Sequence, residues 1–287
     1  MSVCILIPAY NVEKWIEKLI RDCLRYVDNI FVIDDGSVDN TKLVLDRLKN
    51  ELNINYITNP KNRGKAESIK IGLKRILEED GSIELIVQMD ADYAHSPHEI
   101  PSLISYIKDL NCDMVIGNRY AKRKLDSHRF AIIRLASILV KELTGYKLID
   151  PMCGYRVFTK KLGEIFVDKL SAHGYGLETE QILISRFINA TIREYDLTYV
   201  VEQNPFTKAV EFIDVFQVLI NYLDNLNTLD NIKQQLSLLL EMLLQRKTFT
   251  CTIKNEQFTF KYLPDIDSYT LTMGKNKMIP ATSPNSG

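Results

Sequence analysis

Short apolar runs alternate with amphipathic stretches over the first 120 residues of the chain. Residues 12–26, 41–52 and 65–79 repeat apolar side chains at the helical period, and residues 98–110 are also predicted to be helical. Between them lie runs with the length and composition of buried strands: VCILIPAY, NIFVIDDGS, INYITNP, IELIVQM and CDMVIGNRY. This alternation predicts a parallel β-sheet covered by helices, whose ligands bind beyond the carboxyl ends of the strands.

The pattern changes after residue 127. Residues 130–146 and 177–190 are predicted to be helices, DPMCGYRVFTKKL a turn followed by extended chain, and TIREYDLTYVVEQ a strand. Two further helical patterns, at about 209–225 and 229–246, precede an alternation around residues 254–256 that is typical of a β-hairpin. We therefore expect an α/β domain over residues 1–208 and a helical and β-hairpin extension over residues 209–287.

Aspartates are concentrated where two of the predicted strands end. Asp34 and Asp35 close the second strand, and Asp90 and Asp92 follow the fourth. Residues two positions apart in extended chain point to the same side, so the carboxylates of Asp90 and Asp92 are expected to face one spot. Like charges held that close favour a bound cation, and Mg²⁺ or Mn²⁺ prefers oxygen ligands. The bland alternative is a solvated polar turn.

The composition excludes some classes of function. Lys and Arg number 36 against 37 Asp and Glu, so the formal charge of −1 gives no electrostatic reason to expect nucleic acid as a partner. Five scattered cysteines, never spaced as C-x-x-C, favour reduced thiols in a cytoplasmic protein. We expect no signal peptide and no transmembrane helix, because no basic region precedes the first apolar run and no apolar run reaches about 18 residues.

Several common motifs are missing from the sequence. It contains no G-x-G-x-x-G after the first strand, no P-loop and no G-x-S-x-G elbow, which disfavours dinucleotide, P-loop and α/β-hydrolase interpretations. A zinc site formed by His95 and His98 with Asp92 is an alternative use of this region. Pro97, which lies between the histidines, disfavours it because one helix face cannot then present both rings.

Five motifs occur in an order that resembles a known family. VCILIPAYN, VIDDGSVDNT, NRGKAESIKIGL, QMDADYAHSPHEIP and VIGNRY resemble the successive signatures of the family-two inverting glycosyltransferases with the GT-A fold. The later segments RFAIIRLASILVKELTGYKLIDPMCGYRVFTKK, GYGLETEQIL and REYDLTY are similar to the polyprenol-phosphate sugar synthases, such as the dolichol-phosphate mannose synthases. The resemblance covers roughly residues 2–208.

The resemblance implies a fold and a reaction. The fold is a Rossmann-like mixed sheet flanked by helices, the nucleotide-diphospho-sugar transferase or GT-A type. The expected reaction moves a sugar from a nucleotide-sugar donor of the GDP-mannose or UDP-glucose type to a polyprenyl or dolichyl phosphate, with inversion. The implied cofactor is Mg²⁺ or Mn²⁺, and the implied location is the cytoplasm with peripheral contact at the cytoplasmic face of the membrane.

The resemblance also implies roles for individual residues. Asp90 and Asp92 are expected to bind the metal, and Arg119 and Arg134 the acceptor phosphate. The catalytic residues are expected to be Asp92, Arg119 and Glu180, with Glu178 as the alternative base if the acceptor is a hydroxyl. The nucleotide sugar is expected to contact nine residues: Pro8, Tyr10, Asn11, Glu13, Asp34, Asp35, Lys65, Asp90 and Lys208.

Some positions depart from the family pattern and keep other functions open. Val12 stands where a glutamate is usual, Ala94 replaces a metal-assisting glutamine, and Glu202 and Asn204 replace a basic pair before Lys208. The weakened basic cluster favours a sugar hydroxyl as acceptor, as in the synthesis of a surface polysaccharide. The loss at Val12 and Ala94 leaves a third alternative, a non-catalytic protein that binds sugar nucleotides.

A basic stretch over residues 119–134 precedes an apolar helix. It holds six Lys and Arg residues against one Asp. A charge run of this kind is often a solvated face. Beside an amphipathic helix, it also suits adsorption to an anionic membrane surface or docking of a lipid phosphate.

Overall fold

The computed structural model describes residues 2–52, 54–79, 81–120, 127–172, 176–198, 207–226, 230–254, 256–266 and 268–274. The helices are α1 (Ile16–Cys23), α2 (Thr41–Leu52), α3 (Lys65–Glu79), α4 (Ile100–Asp109), α5 (Ser127–Thr144), α6 (Lys160–Lys169), α7 (Leu177–Phe187), α8 (Ala209–Leu226) and α9 (Asp230–Leu244). The strands are β1 (Ser2–Ala9), β2 (Asn29–Asp34), β3 (Asn55–Thr58), β4 (Ile83–Gln88), β5 (Met114–Asn118), β6 (Arg156–Thr159), β7 (Ile192–Asp196), β8 (Thr207–Lys208), β9 (Phe249–Ile253), β10 (Glu256–Leu263) and β11 (Ser268–Met273).

A seven-stranded sheet in the order β3-β2-β1-β4-β6-β5-β7 forms the centre of the molecule. β1, β2, β3 and β4 are parallel, β5 is parallel to β7, and β6 pairs antiparallel with both β4 and β5. The near-continuous apolar runs of β1, β2 and β4 are explained by burial on both faces of the sheet. The sheet is therefore mixed, as the family resemblance implied, whereas the alternation of elements alone had predicted only parallel strands.

A second core lies beside the sheet. The antiparallel sheet β8-β11-β10-β9 packs with α5, α8 and α9 around fully buried side chains such as Phe258, Phe260 and Tyr269. The predicted hairpin is present, since β9 and β10 pair in register across the turn at Lys254, which has a φ of 48°. α5 precedes residue 208 and also packs in this second core, and the domain boundary at residue 208 stays a prediction.

Some elements differ from the prediction. The extended chain predicted to reach residue 162 ends at Thr159, which accepts a hydrogen bond from the backbone N–H of Leu162 and so forms the N-cap of α6. α5 ends two residues before its predicted end because Gly145 adopts a φ of 80° and donates to the carbonyl of Lys141. The predicted strand over 191–203 ends at Asp196, and residues 199–203 lie outside the described parts of the chain. No helix within the described ranges is long and apolar enough to span a membrane.

We expect Gly36→Ala to destabilise the protein by at least about 2 kcal/mol, as measured by denaturant unfolding. Gly36 has a φ of 70°, and a Cβ there would lie 2.6 Å from the backbone carbonyl carbon of Lys61. Backbone cannot move aside as a flexible side chain can. Gly81→Ala is the matched control, because a Cβ at Gly81 meets nothing within 4 Å. Equal stability of the two variants would contradict this explanation.

Candidate active site

Two carboxylates and one ammonium group meet at the carboxyl end of the central strands. Asp90 follows β4, Lys65 begins α3, and Glu178 lies in the first turn of α7. Lys65 Nζ lies 2.5 Å from Asp90 Oδ1 and 2.8 Å from Glu178 Oε1. Lys65 is 28% exposed, so the cluster opens to solvent on one side. Three segments far apart in the chain are thus joined by one cation.

The pKa values of this cluster show that both members of the Lys65–Asp90 pair stay charged. Burial alone would raise the pKa of the Asp90 carboxyl, but Lys65, His95 and Arg119 together hold that pKa below its usual range. Burial opposes the charge of Lys65 in the same way, and Asp90 and Glu178 together raise the pKa of Lys65 above its ordinary value. The pair is therefore ionised at neutral pH.

His95 orients the backbone of Asp90. Its ring is buried, stacks on Tyr155 with centroids 4.9 Å apart, and accepts a hydrogen bond at Nδ1 from the backbone N–H of Asp90 at 3.0 Å. Burial lowers the pKa of His95, so the imidazole is neutral at pH 7. His98, the other histidine of the zinc alternative, lies 2.7 Å from the hydroxyl of Tyr26 instead. The two histidines therefore have separate structural partners.

Asp92 lies in a tight loop that residues of α1 hold in place. Its Oδ1 accepts the backbone N–H of Ala94 at 2.9 Å, and Tyr93 adopts a φ of 64°. The hydroxyl of Tyr93 donates to Asp22 at 2.5 Å, and the ammonium of Lys18 lies 3.9 Å from the centre of its ring. The loop that carries Asp92 is therefore tied to α1.

The donor set at Asp90 and Asp92 fits a divalent ion that takes most of its ligands from elsewhere. The described residues contain no group of three or more His, Cys, Asp or Glu side chains arranged to hold a metal. Mg²⁺ commonly binds one or two carboxylates together with water and substrate phosphates, and Mn²⁺ also suits carboxylate ligands. Two partly exposed carboxylates match that pattern better than they match zinc, which favours nitrogen or sulfur ligands in a closed site.

The two aspartates after β2 have different environments. Asp35 is satisfied, because it accepts from the side-chain amide of Asn59 at 2.8 Å and from the backbone N–H of Gly64 at 2.8 Å. Asp34 is fully buried, and its Oδ1 accepts the backbone N–H of Ser37 at 3.1 Å. Asp34 Oδ2 is buried without a hydrogen-bond partner among the described residues. Of these two predicted nucleotide contacts, Asp34 is therefore the one with an unpaired carboxylate oxygen, Oδ2, among the described residues.

The residues after β1 shape the neighbouring loop. Asn11, with a φ of 54°, accepts the backbone N–H of Val38 at 2.9 Å. Glu13 accepts the backbone N–H just before α2, also at 2.9 Å. Pro8 is half-buried in β1, and the ring of Tyr10 is 44% exposed at its end. Asn11 and Glu13 thus hold the loop, and Tyr10 offers an aromatic face.

Arg119 is fixed by a carboxylate that the sequence did not single out. After β5, its Nε and Nη2 donate to Asp150 at 2.7 and 3.0 Å, and Asp150 is fully buried. Burial opposes the charge of Arg119, but Asp150 raises the pKa of the guanidinium well above its ordinary value. The charge of Arg119 in turn helps to lower the pKa of Asp90. Arg119 therefore lies within electrostatic range of the Asp90 cluster.

A second layer of groups holds Asp150 and Glu178 in place. Glu194 on β7 accepts the backbone N–H of Ile149 at 2.6 Å and that of Asp150 at 2.7 Å. Arg156 on β6 is fully buried and donates to the carbonyl of Glu178 at 2.8 Å and to the carbonyl of Pro151 at 2.7 Å. The segment that fixes Arg119 and the first turn of α7 are therefore tied through one guanidinium.

Several predicted site residues lie elsewhere or are only partly described. Glu180 accepts from the backbone N–H groups of Ser171 at 3.0 Å and Ala172 at 2.8 Å, and does not join the Asp90 cluster. Arg134, the other predicted acceptor-phosphate residue, forms an ion pair with Glu256 of β10. Lys208 lies in β8, where its backbone pairs with Ser268, and its side chain lies outside the described part of the structure. Of the basic stretch, Lys122, Arg123, Lys124 and Asp126 lie outside the described residues.

The order of the strands and the flanking helices give the chain a GT-A fold, which it shares with solved glycosyltransferases. The sequence profile described as glycosyl transferase family 2 matches residues 4–166, and the chain belongs to that family. Over its length the chain also superposes on glucosyl-3-phosphoglycerate synthase from Mycobacterium tuberculosis, crystallised with Mn²⁺, UDP and phosphoglyceric acid. That match has a TM-score of 0.59 and 20% identity, and covers 97% of this chain and 88% of the other.

Curated relatives include enzymes named for dolichyl phosphate. The chain is 25% identical over 234 residues to a UDP-N-acetylglucosamine–dolichyl-phosphate N-acetylglucosaminyltransferase of Methanococcus voltae, which covers 75% of this chain and 92% of the relative. It is 31% identical over 174 residues to a dolichol-phosphate mannosyltransferase of Pyrococcus furiosus, covering 57% of this chain and 48% of the relative. The expectation of a transferase of this family is confirmed.

We expect the free energy of unfolding to decrease as pH rises from about 4.5 to 7 through Glu194. Burial raises the pKa of Glu194 from 4.5 to about 7, so the folded protein binds this proton more tightly than the unfolded chain does. Stability from this proton is present below pH 4.5 and is lost through pH 7. One pKa unit corresponds to about 1.4 kcal/mol, so the decrease is at most about 3.5 kcal/mol.

Denaturant unfolding of Glu194→Gln at pH 5 and pH 8 measures this contribution. The variant is expected to lose less stability between the two pH values than the wild type, because glutamine does not titrate. Glu84→Gln, at an exposed position of β4, is the control. The same loss in wild type and Glu194→Gln would show that Glu194 does not carry the effect.

Proposed function

We propose that the protein transfers a sugar from a nucleoside diphosphate sugar to a polyprenyl phosphate of the dolichyl type, with inversion at the anomeric carbon. Family membership supplies the reaction class. The observation that carries the proposal is the grouping of Asp90, Lys65 and Arg119 at one edge of the sheet, within electrostatic range of one another. Such a group suits a site where two phosphate-bearing substrates meet.

The donor half of the site extends from Asp34 to Asp92. The unsatisfied Oδ2 of Asp34 is an acceptor for a base N–H or a ribose hydroxyl, and the exposed ring of Tyr10 offers a stacking face. Asp90 and Asp92 would hold Mg²⁺ or Mn²⁺. The bound ion would neutralise charge on the departing diphosphate, which is a poor leaving group without such help.

The acceptor half favours a phosphate over a hydroxyl. A lipid phosphate is already an anionic nucleophile, whereas a hydroxyl needs a carboxylate to take its proton. Both predicted bases are engaged, Glu178 by Lys65 and Glu180 by the backbone of residues 171–172. Arg119 keeps N–H donors beyond the two that Asp150 uses, so it can still bind a phosphate oxygen.

A membrane-bound acceptor also calls for contact at a membrane surface. Phe130, at the start of α5, and Ile149, beside the residue that holds Arg119, are large apolar side chains exposed by 40% and 54%. Together with the basic stretch over 119–134, they supply the apolar and cationic features that peripheral proteins use. We include peripheral contact with an anionic membrane in the proposal.

The proposal predicts that Asp92→Asn lowers sugar transfer by at least about a hundredfold, since the variant loses one carboxylate of the metal site. The measurement is the transfer of radiolabelled sugar from UDP- and GDP-sugars, with Mn²⁺ and dolichyl phosphate, into an organic-extractable lipid. Asp109→Asn, at the end of α4, is the control. Labelled sugar on a water-soluble hydroxyl acceptor, with none in the lipid fraction, would contradict the proposed acceptor.

Arg119→Gln is expected to raise KM for dolichyl phosphate by about tenfold or more and KM for the donor much less, because one charged phosphate contact is lost. Steady-state kinetics with each substrate varied in turn checks this split. Arg75→Gln is the control, because Arg75 lies on α3 and pairs only weakly with Glu79, at 3.9 Å. A larger effect on the donor than on the lipid phosphate would place Arg119 on the donor side.

A further inference from the structure

The ammonium of Lys65 contacts the carboxylate that would bind a metal ion at Asp90. Its Nζ lies 2.5 Å from Asp90 Oδ1, at the mouth of the proposed metal site. A divalent ion bound to that carboxylate would therefore stand beside a positive charge. Like charges at such a distance repel, so the metal and the ammonium compete for Asp90.

Glu178 offers the ammonium a second partner. Its Oε1 lies 2.8 Å from Lys65 Nζ and accepts a hydrogen bond from the ammonium. The carbonyl of Glu178 is held by the buried Arg156, so the backbone of this residue is fixed. Glu178 can therefore keep Lys65 paired when Asp90 is drawn to another cation.

Gly154 closes one side of the cluster. A Cβ at this position would lie 2.8 Å from Lys65 Nζ and 3.1 Å from Asp90 Oδ2. The backbone therefore covers the ion pair closely on that side. A divalent ion and the ammonium must share the remaining, solvent-facing side of the carboxylate, which is also where a diphosphate would approach.

We infer that Lys65 is the resident counter-ion of Asp90 in the donor-free protein and that Glu178 is the positioning residue that retains it when a divalent ion and a nucleoside diphosphate enter. The inference rests on the proposed function, because it requires Asp90 to be a metal ligand. The ammonium opposes binding of the metal alone. Once displaced from Asp90, it has charge to share with the diphosphate, so metal and diphosphate bind cooperatively.

Direct measurement of Mn²⁺ binding tests this exchange without relying on activity. Free Mn²⁺ is followed by electron paramagnetic resonance during titration, with and without UDP or GDP. Lys65→Met is expected to bind Mn²⁺ alone about tenfold more tightly than the wild type, and the gain in Mn²⁺ affinity caused by UDP or GDP is expected to shrink by about the same factor. Lys65→Gln is a second variant in case the apolar side chain perturbs folding.

Glu178→Gln is expected to act in the opposite direction. With its second partner removed, Lys65 binds Asp90 more strongly, and Mn²⁺ alone binds more weakly than in the wild type. A purely structural role would weaken Mn²⁺ binding in both kinds of variant. Lys74→Met is the matched control, because Lys74 is exposed on the same helix and pairs with Glu78 at 3.9 Å.

The outcomes separate the inference from the proposed function. Lys65 variants that bind Mn²⁺ no more tightly than the wild type would overturn the exchange. If Asp90→Asn nevertheless loses Mn²⁺ binding, the proposal that Asp90 is a metal ligand still stands. No binding of Mn²⁺ to the folded wild type, even with UDP or GDP, would overturn both. Tighter binding in Lys65→Met together with weaker binding in Glu178→Gln supports the exchange.

Discussion

The ion pair between Lys65 and Asp90 is the interaction on which the arrangement of the site depends. Asp90 and Glu178 come from segments 88 positions apart, and two carboxylates held this close would repel each other without a cation between them. Lys65 supplies that cation from the first turn of α3. It thereby joins the end of β4 to α7, and a Cβ at Gly154 would lie 2.8 Å from the ammonium and force it to shift.

Around this pair, each charged side chain of the site is held by another group. Arg119 is fixed by Asp150, and the segment that carries Asp150 is fixed by Glu194. Among the described residues, the buried Arg156 donates to carbonyl and amide oxygens of this region, and these hydrogen bonds hold the backbone in place. Fixed groups of this kind reduce the reorganisation that binding two phosphate-bearing substrates would otherwise require.

The sequence could predict what depends on local pattern and on motifs. The strands, most helices and the aspartates at strand ends follow from periodicity, and Asp90, Lys65 and Arg119 do lie near one another. The choice between Glu178 and Glu180 could not be made, because residues two apart on a helix face nearly opposite sides and nothing local shows which side meets Lys65. The ion pair between Arg134 and Glu256 spans 122 positions and carries no local signal.

Under the proposed function, the balance of charge in the site gives a second reason for a divalent ion. In the proposed reaction, a nucleoside diphosphate and a lipid phosphate would bring several negative charges to this site. The described residues that line it supply two cations, and both are already paired with carboxylates; His95 adds no charge because burial lowers its pKa. The surrounding carboxylates outnumber these cations, and they are Asp34, Asp90, Asp92, Asp150 and Glu178. Two anions beside these carboxylates would be stabilised by additional positive charge, which a divalent ion at Asp90 and Asp92 would supply.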